Sequence, residues 1–384
     1  MVERPRILIL SPTDLATDPR VNRQLRLLRS IGSVTAAGLA DPKLDDVEFV
    51  SLAFNPSDRG SRVQRLGRLA TRQFRSYYDA LPWVQKARGA LHNRSFDLVI
   101  ANDAESWPVG LELRRAGRVL FDAHEYTPRE FEHAWWWRTF YQPYKIDLCR
   151  RFLHRADGVL TVCPGIADEY AREFGIRPIV VMNVPEAAAV TPSPVMGDRV
   201  RMIHHGGANP ARKIELMIQM IDHLDARFTL DLLLVPSDPH YVTYLRQLAA
   251  SRPRVRFLDP VPMRSIAETI NRYDIGLYLL EPNSFNNRHA LPNKFFEYIQ
   301  ARLGIAIGPS PEMARIVTQE SCGVVSPTFE PQSLADALQN VTQEQLVRWK
   351  QHSDRAARRL CWEHEGLVLR HEVERLLSLG SCAG

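Results

Sequence analysis

Short apolar runs alternate with helical patterns along almost the whole chain, and no other feature restricts its fold as much. The runs ILIL (7–10), SVTAAGL (33–39), DLVIAN (97–102), VLFDAH (119–124), GVLTV (158–162) and IVVMN (179–183) are too short for helices and end in turn residues. Strands separated by helices pair in parallel through crossover connections. After Asn183 the stretch VPEAAAVTPSPVMGD is rich in Pro and Ala and loses apolar periodicity, which marks a linker. The alternation then restarts with RMIHHGG (201–207), TLDLLLV (229–235), RVRFLD (254–259), IGLYLL (275–280), IAIG (305–308) and GVVS (323–326). A chain of 384 residues exceeds what one hydrophobic core serves, a limit of roughly 250 to 300 residues. The expectation is α/β, with two doubly wound domains, 1–185 and 197–359, facing across a cleft.

Several function classes drop out. Hydrophobic residues at 45% and charged residues at 24% describe a soluble globular chain. The five cysteines contain no C-x-x-C pair, so neither a disulfide framework nor a zinc site is indicated, and a reducing compartment is expected. The apolar run Ile7–Leu10 is shorter than a signal-peptide core and reads as a first strand. No stretch approaches the ~20 apolar residues of a membrane-spanning helix, although the chain can still lie on a bilayer. Net charge is +5, with 27 Lys and Arg against 22 Asp and Glu through Pro185 and 22 against 22 beyond it. That asymmetry suggests an anionic partner for the first half, or an ordinary solvated surface.

In doubly wound sheets ligands bind beyond the carboxyl ends of the strands, where the polar clusters of this chain fall. In HALPNKFFEYIQARLGIAI (289–307) a helix starting near Pro292 leaves the amides around Asn293 and Lys294 without helical acceptors, and such an end attracts anions. Lys294 adds a full charge, and Glu297 one turn on can accept from a ribose hydroxyl pair, so a nucleotide diphosphate fits. Alternatively Asn293 and Lys294 face solvent and Glu297 caps the helix. In HHGGANPARKIELM (204–217), Gly206 and Gly207 permit close approach of a phosphate, with Arg212 and Lys213 supplying charge. This is neither a Walker loop nor a G-x-G-x-x-G. In VLFDAHEY, His124 follows a strand beside Asp122 and Glu125, either as a sugar contact able to pass protons or as a structural residue. Asp18 and Pro19 read as an N-cap and a first helical position, which leaves Arg20 unexplained. Asp103 and Glu105 form a carboxylate pair suited to a metal or an acceptor sugar, but nothing nearby completes a metal shell.

On ALPNKFFEYIQARLGIAIG, VLFDAHEY, DLATDPRVNRQLRLLRSIG and ADGVLTVCPGIADEYAREFG followed by VVMNVP, the chain resembles a GT-B-fold retaining glycosyltransferase of family 4 over nearly its whole length. The resemblance implies two Rossmann-like domains, with the helix at about 360–384 crossing back to the first. It implies transfer from a nucleotide sugar, UDP- or GDP-linked, to a hydroxyl on a saccharide, lipid-linked glycan or other glycoconjugate. No cofactor and no metal are implied. Glu297 matches the second Glu of the family's Glu-x7-Glu, which grips the donor ribose while the intervening amides, here around Asn293 and Lys294, meet the diphosphate. His289 replaces the first Glu, which contacts the donor sugar. Lys213 matches a diphosphate-neutralising Lys near Gly207, and Arg212 stands in for an Arg missing from its usual earlier position. His124 matches a histidine of the donor-sugar pocket, with Glu125 orienting the acceptor. Asp18, Arg20 and Asp103 are expected on the acceptor side, where Arg20 would touch donor phosphate or an anionic acceptor.

A separate signal is the stripe Arg59, Arg62, Arg65, Arg68, Arg72 and Arg75, whose spacing gathers them along one side of a helix opposite Val63, Leu66, Leu69, Phe74 and Tyr77. The aromatic group Trp135, Trp136, Trp137, Phe140, Tyr141 and Tyr144 follows. Together they suit an anionic membrane surface, and the resemblance implies a cytoplasmic enzyme reaching lipid-linked acceptors at the inner face. The alternative is an ordinary surface helix, with the tryptophans in the core or lining an acceptor groove. Two rival functions stay open. A nucleotide-sugar epimerase or hydrolase would process donor without acceptor, and a nucleic-acid binder would show steep salt dependence, though no nucleic-acid module is present.

Overall fold

The computed structural model describes residues 4–54 and 59–381, and two contact-defined units divide them. The first takes residues up to Met182, Ser284–Asn286 and those from Gly366 onward; the second takes Asn183–Asn283 and Asn287–Glu365. The Pro- and Ala-rich stretch after Met182 therefore packs with the second unit, where Ala188 N–H donates to Gln300 Oε1 at 3.0 Å.

In the first unit, Ile7 to Leu10 are fully buried in β1 (Arg6–Leu10), as expected of a central strand covered on both faces. β1 pairs in parallel with β2 (Ser33–Gly38) on one side and β4 (Leu98–Asn102) on the other. β3 (Val47–Ser51), β5 (Arg118–Ala123), β6 (Gly158–Thr161) and β7 (Ile179–Val180) complete the order β3-β2-β1-β4-β5-β6-β7. β3 has no counterpart among the sequence-predicted strands: it is an edge strand, and Glu48 and Ser51 break its apolar run. The strand order reverses between β1 and β4, which places the loops after β1, β4 and β5 around one polar end. Helix Pro19–Leu28 opens there, capped by Asp18, which accepts from Arg20 N–H and Val21 N–H, and buries Val21, Leu25 and Leu28.

The arginine stripe is not one helix. Helix Arg59–Ala70 ends before Arg72, whose φ of 57° is left-handed, and a second helix, Phe74–Asp79, follows. Arg72 and Arg75 therefore leave the line of Arg65 and Arg68, and the side chains of Arg59 and Arg62 lie outside the described residues. The tryptophans also divide, with Trp137 buried and Trp135 and Trp136 exposed.

In the second unit β8 (Val200–Gly207), β9 (Phe228–Val235), β10 (Val255–Leu258), β11 (Ile275–Tyr278), β12 (Gly304–Ile307) and β13 (Gly323–Val325) form a parallel sheet in the order β10-β9-β8-β11-β12-β13. Here the order reverses between β8 and β11. Helix Asn293–Gln300 follows Pro292, which occupies the cap position rather than the first turn, and buries Phe295, Phe296, Tyr298 and Ile299. Tyr298 lies so close to β11 that a Cβ built on Gly276 would stand 2.2 Å from its ring. Cys149, Cys163, Cys322 and Cys361 are buried and form no disulfide among the described residues, and no helix among them is long and apolar enough to cross a membrane.

Gly276→Ala must push Tyr298 and its helix away from β11. Overpacking of this kind costs about 1–3 kcal/mol, so chemical denaturation should show a loss of that size, and the same substitution made in a Tyr298→Ala background should cost much less.

Candidate active site

The second unit gathers charge where β8 and β11 part. Lys294, at the start of helix Asn293–Gln300, is only 7% exposed, and its Nζ lies 3.5 Å from His204 Nε2 and 5.0 Å from the centre of the Tyr278 ring. His204 Nδ1 is 2.9 Å from the Leu277 carbonyl, which can only accept. That contact places the His204 proton on Nδ1 and leaves Nε2 to accept from Lys294. Gly206, with φ 121°, makes room for the lysine, since a Cβ there would stand 2.8 Å from Nζ. Arg212, ending the turn Pro210–Arg212, donates to Tyr278 Oη at 3.0 Å.

Burial and the Arg212 charge, opposed by Glu297, bring Lys294 down to about 7. Burial, with the Lys294 charge, holds His204 well below its ordinary range and brings His205 to about 3, so both rings are neutral at pH 7. His205 Nε2 sits 3.3 Å from Glu297 Oε2. Asn293 Oδ1 is buried without a protein partner.

The structure thus brings Gly206, Arg212, Lys294 and Glu297 into one network, with Asn293 beside Lys294 and Gly207 next to Gly206. Lys213 departs: its backbone is left-handed at φ 46°, and its ammonium pairs with Glu281. His289 pairs through Nδ1 with Glu312 Oε1 at 3.1 Å. Glu312, buried in the first turn of helix Pro311–Glu320, returns a carboxylate to the neighbourhood of the histidine that replaced one. Among the residues missing from the sequence-based assignment are His204, His205, Tyr278 and Glu312. The histidine pair at the end of an apolar strand was the available signal, because polar side chains buried in a strand need partners.

In the first unit Asp122 is the hub. It is fully buried and accepts from Arg20 Nε and Nη2, both at 2.7 Å, and from Gln24. Arg20 Nη1 donates to the Val181 carbonyl at 2.7 Å. The expected contact of Arg20 with phosphate or acceptor is corrected on this point. A guanidinium 3% exposed and bonded through all three nitrogens to protein acceptors has its charge matched internally. Asp18 likewise serves as the cap, accepting also from Thr13 Oγ1.

His124, largely buried, has acceptors at both nitrogens: Nε2 is 3.2 Å from Asn102 Oδ1 and 3.4 Å from Asp122 Oδ2, and Nδ1 is 3.4 Å from Asp103 Oδ1. Burial opposes its charge, but Asp103 and Asp122 outweigh that and push it up to about 9. Asp103 is held there by a backbone at φ 63° and ψ 153°, a region nearly exclusive to glycine, at a cost of about 1–3 kcal/mol. Glu125 is exposed and accepts from Asn286 Nδ2 at 3.2 Å. Beneath this end Lys145 is buried between Glu105 and Glu130, a second ion group not foreseen from the sequence. Among the described residues no group of three or more His, Cys, Asp or Glu is placed to hold a metal ion.

Two outcomes follow from this geometry. Arg20→Met strips the buried Asp122 carboxylate of its bidentate partner and leaves it only Gln24 and His124, so denaturation should show a loss of about 3–5 kcal/mol. A loss under 1 kcal/mol would return Arg20 to the surface of the site. In NMR spectra of histidine-labelled protein, assigned with His124→Gln, the His124 ring should titrate near pH 9. Asp103→Asn should lower that midpoint by about one unit or more, because removing a carboxylate disfavours the imidazolium.

Residues 35–184 match the family described as Glycosyltransferase Family 4. No curated protein matches the chain in sequence. Among solved structures, sucrose-phosphate synthase from Thermosynechococcus elongatus superposes with a TM-score of 0.72 at 15% identity, covering 98% of this chain and 100% of that one. HepE of Anabaena in complex with UDP-glucose gives 0.69 at 16%, covering 97% and 100%. WaaG, a glycosyltransferase involved in lipopolysaccharide biosynthesis, gives 0.59 at 12%, covering 94% and 99%. The two parallel sheets are those of the GT-B fold. Residues 35–184 thus resemble Glycosyltransferase Family 4, within a chain whose fold is that of the GT-B structures it superposes on.

Proposed function

We propose that the chain transfers a sugar from a nucleotide diphosphate donor to a hydroxyl acceptor with retention at the anomeric carbon, and that the second unit binds the donor. The carrying observation is Lys294: a buried lysine with no carboxylate ion pair among the described residues, next to a glycine turn, a helix start and Arg212. A diphosphate supplies the missing negative charge. That HepE was crystallised with UDP-glucose supports a UDP-sugar as the first donor to try, with GDP-sugars next. No further cofactor enters this reading.

Charge grows on the diphosphate as the sugar leaves. Lys294, Arg212 and the amides at Asn293 and Lys294 stabilise that charge most where it is largest, in the transition state. Glu297, beside His205, accepts from the ribose hydroxyls, and His289 with Glu312 meets the sugar. In the first unit His124, as an imidazolium, donates rather than removes a proton, which argues against general-base catalysis by this histidine. Asp103 and the exposed Glu125 are the carboxylates assigned to the acceptor, a saccharide or a lipid-linked glycan.

A second observation bears on where the acceptor lies. Val63, Leu66, Phe131, Trp135, Trp136 and Phe140 are exposed, close in sequence to Arg65, Arg68 and Arg138. Apolar and aromatic residues among arginines suit a peripheral position on an anionic bilayer.

Thermal unfolding with UDP, GDP, ADP and dTDP tests the donor site. One nucleotide should raise Tm, and Glu297→Ala should remove the shift; failure of all four at millimolar concentration contradicts the reading. Turnover of donor at full rate without acceptor would favour an epimerase or hydrolase. Vesicles with 30% anionic lipid should sediment the protein and neutral vesicles should not, with Trp135→Ser/Trp136→Ser weakening binding about tenfold or more.

A further inference from the structure

This inference rests on the donor site proposed above and concerns how that site handles charge. A buried ammonium loses its hydration, and proteins ordinarily compensate with a carboxylate. Lys294 has none at ion-pair distance among the described residues. The charged and titratable groups around it are His204 and His205 from β8, Arg212 from the turn after β8, Tyr278 from β11, and Glu297 and Tyr298 from its own helix. Glu297, the one carboxylate of the set, has an oxygen 3.3 Å from His205 Nε2. What Lys294 touches is neutral: the lone pair of His204 Nε2 and the face of the Tyr278 ring.

We infer that the donor diphosphate enters together with one proton, which the Lys294 amine takes from solvent and holds as ammonium until the product nucleotide leaves. The free amine is tolerated because His204 and Tyr278 ask no charge of it, whereas the dianionic diphosphate favours the ammonium strongly. The step balances as amine plus proton giving ammonium, with no bond to the donor made or broken. Neither histidine supplies the proton: His204 already donates its own to Leu277, and His205 is neutral down to about pH 3. With Lys294 near 7 in the free protein, the linkage falls in the neutral range.

The test is calorimetric titration of the full chain with UDP-glucose, GDP-mannose and ADP-glucose, repeated in buffers of different ionisation enthalpy. The diphosphate of a nucleotide sugar is a diester without a proton that titrates between about pH 6 and 9, so uptake reports on the protein. For the nucleotide sugar that binds, uptake should be about 0.5 proton at pH 7 and about 0.9 at pH 8, and affinity should fall roughly tenfold per unit above that. Lys294→Arg, charged at every pH used, should bind with no uptake. Binding by the unaltered protein with no uptake overturns this inference and leaves the donor site standing. Uptake that persists in Lys294→Arg assigns the proton elsewhere and also overturns it. If none of the three sugars binds, the donor site and the inference fall together.

Discussion

A lysine taken out of water without a counter-charge keeps its proton only at a high cost, and the second unit is arranged around one. Gly206 gives up its side chain and adopts a positive φ so that Lys294 can lie against β8. Gly276 leaves space for Tyr298, which keeps the helix bearing Lys294 against β11. His204 is oriented by the Leu277 carbonyl so that its lone pair meets the lysine. Each choice lowers local stability or flexibility, and each becomes intelligible once an anion completes the site. Lys350, also buried in this unit, is held by the Ser193 hydroxyl and the Tyr273 carbonyl, whereas Lys294 meets only a histidine lone pair and a ring face.

The first unit solves the opposite problem. Asp122 is a buried carboxylate, and Arg20, Gln24 and His124 surround it, so four separated stretches of chain meet at one oxygen pair: the loop-helix after β1, β5, the strand end at Val181 through Arg20, and the β4 end through Asn102. The consequence for chemistry passes through His124. With carboxylates near both ring nitrogens it is a donor across the neutral range, because the fold raises the pH at which it loses its proton.

The alternation of strands and helices, and the polar loops at strand ends, were legible because they depend on local pattern. β3 was not, since an edge strand can be polar on its open side. Lys294 and Glu297 were recognisable as a pair at a helix start, but the burial of Lys294 was not, because it depends on Gly206 and Tyr278, far away in sequence. Arg20 shows the same limit from the other direction. An N-cap motif leaves an arginine free on paper, and only the partner 102 residues on, Asp122, reveals where its charge goes. The arginine stripe was misread as continuous because spacing alone does not report a left-handed residue such as Arg72. His289 departs from the family pattern in sequence, while Glu312, on a different helix, brings a carboxylate back to it in space.

The central claim is that the donor diphosphate is the counter-ion of Lys294, and a crystal structure of the protein with a bound nucleotide sugar tests it most directly. The account predicts diphosphate oxygens within hydrogen-bond distance of Lys294 Nζ, over Gly206 and beside the first amides of helix Asn293–Gln300. A diphosphate held elsewhere, with Lys294 still against His204 and Tyr278 alone, would contradict it.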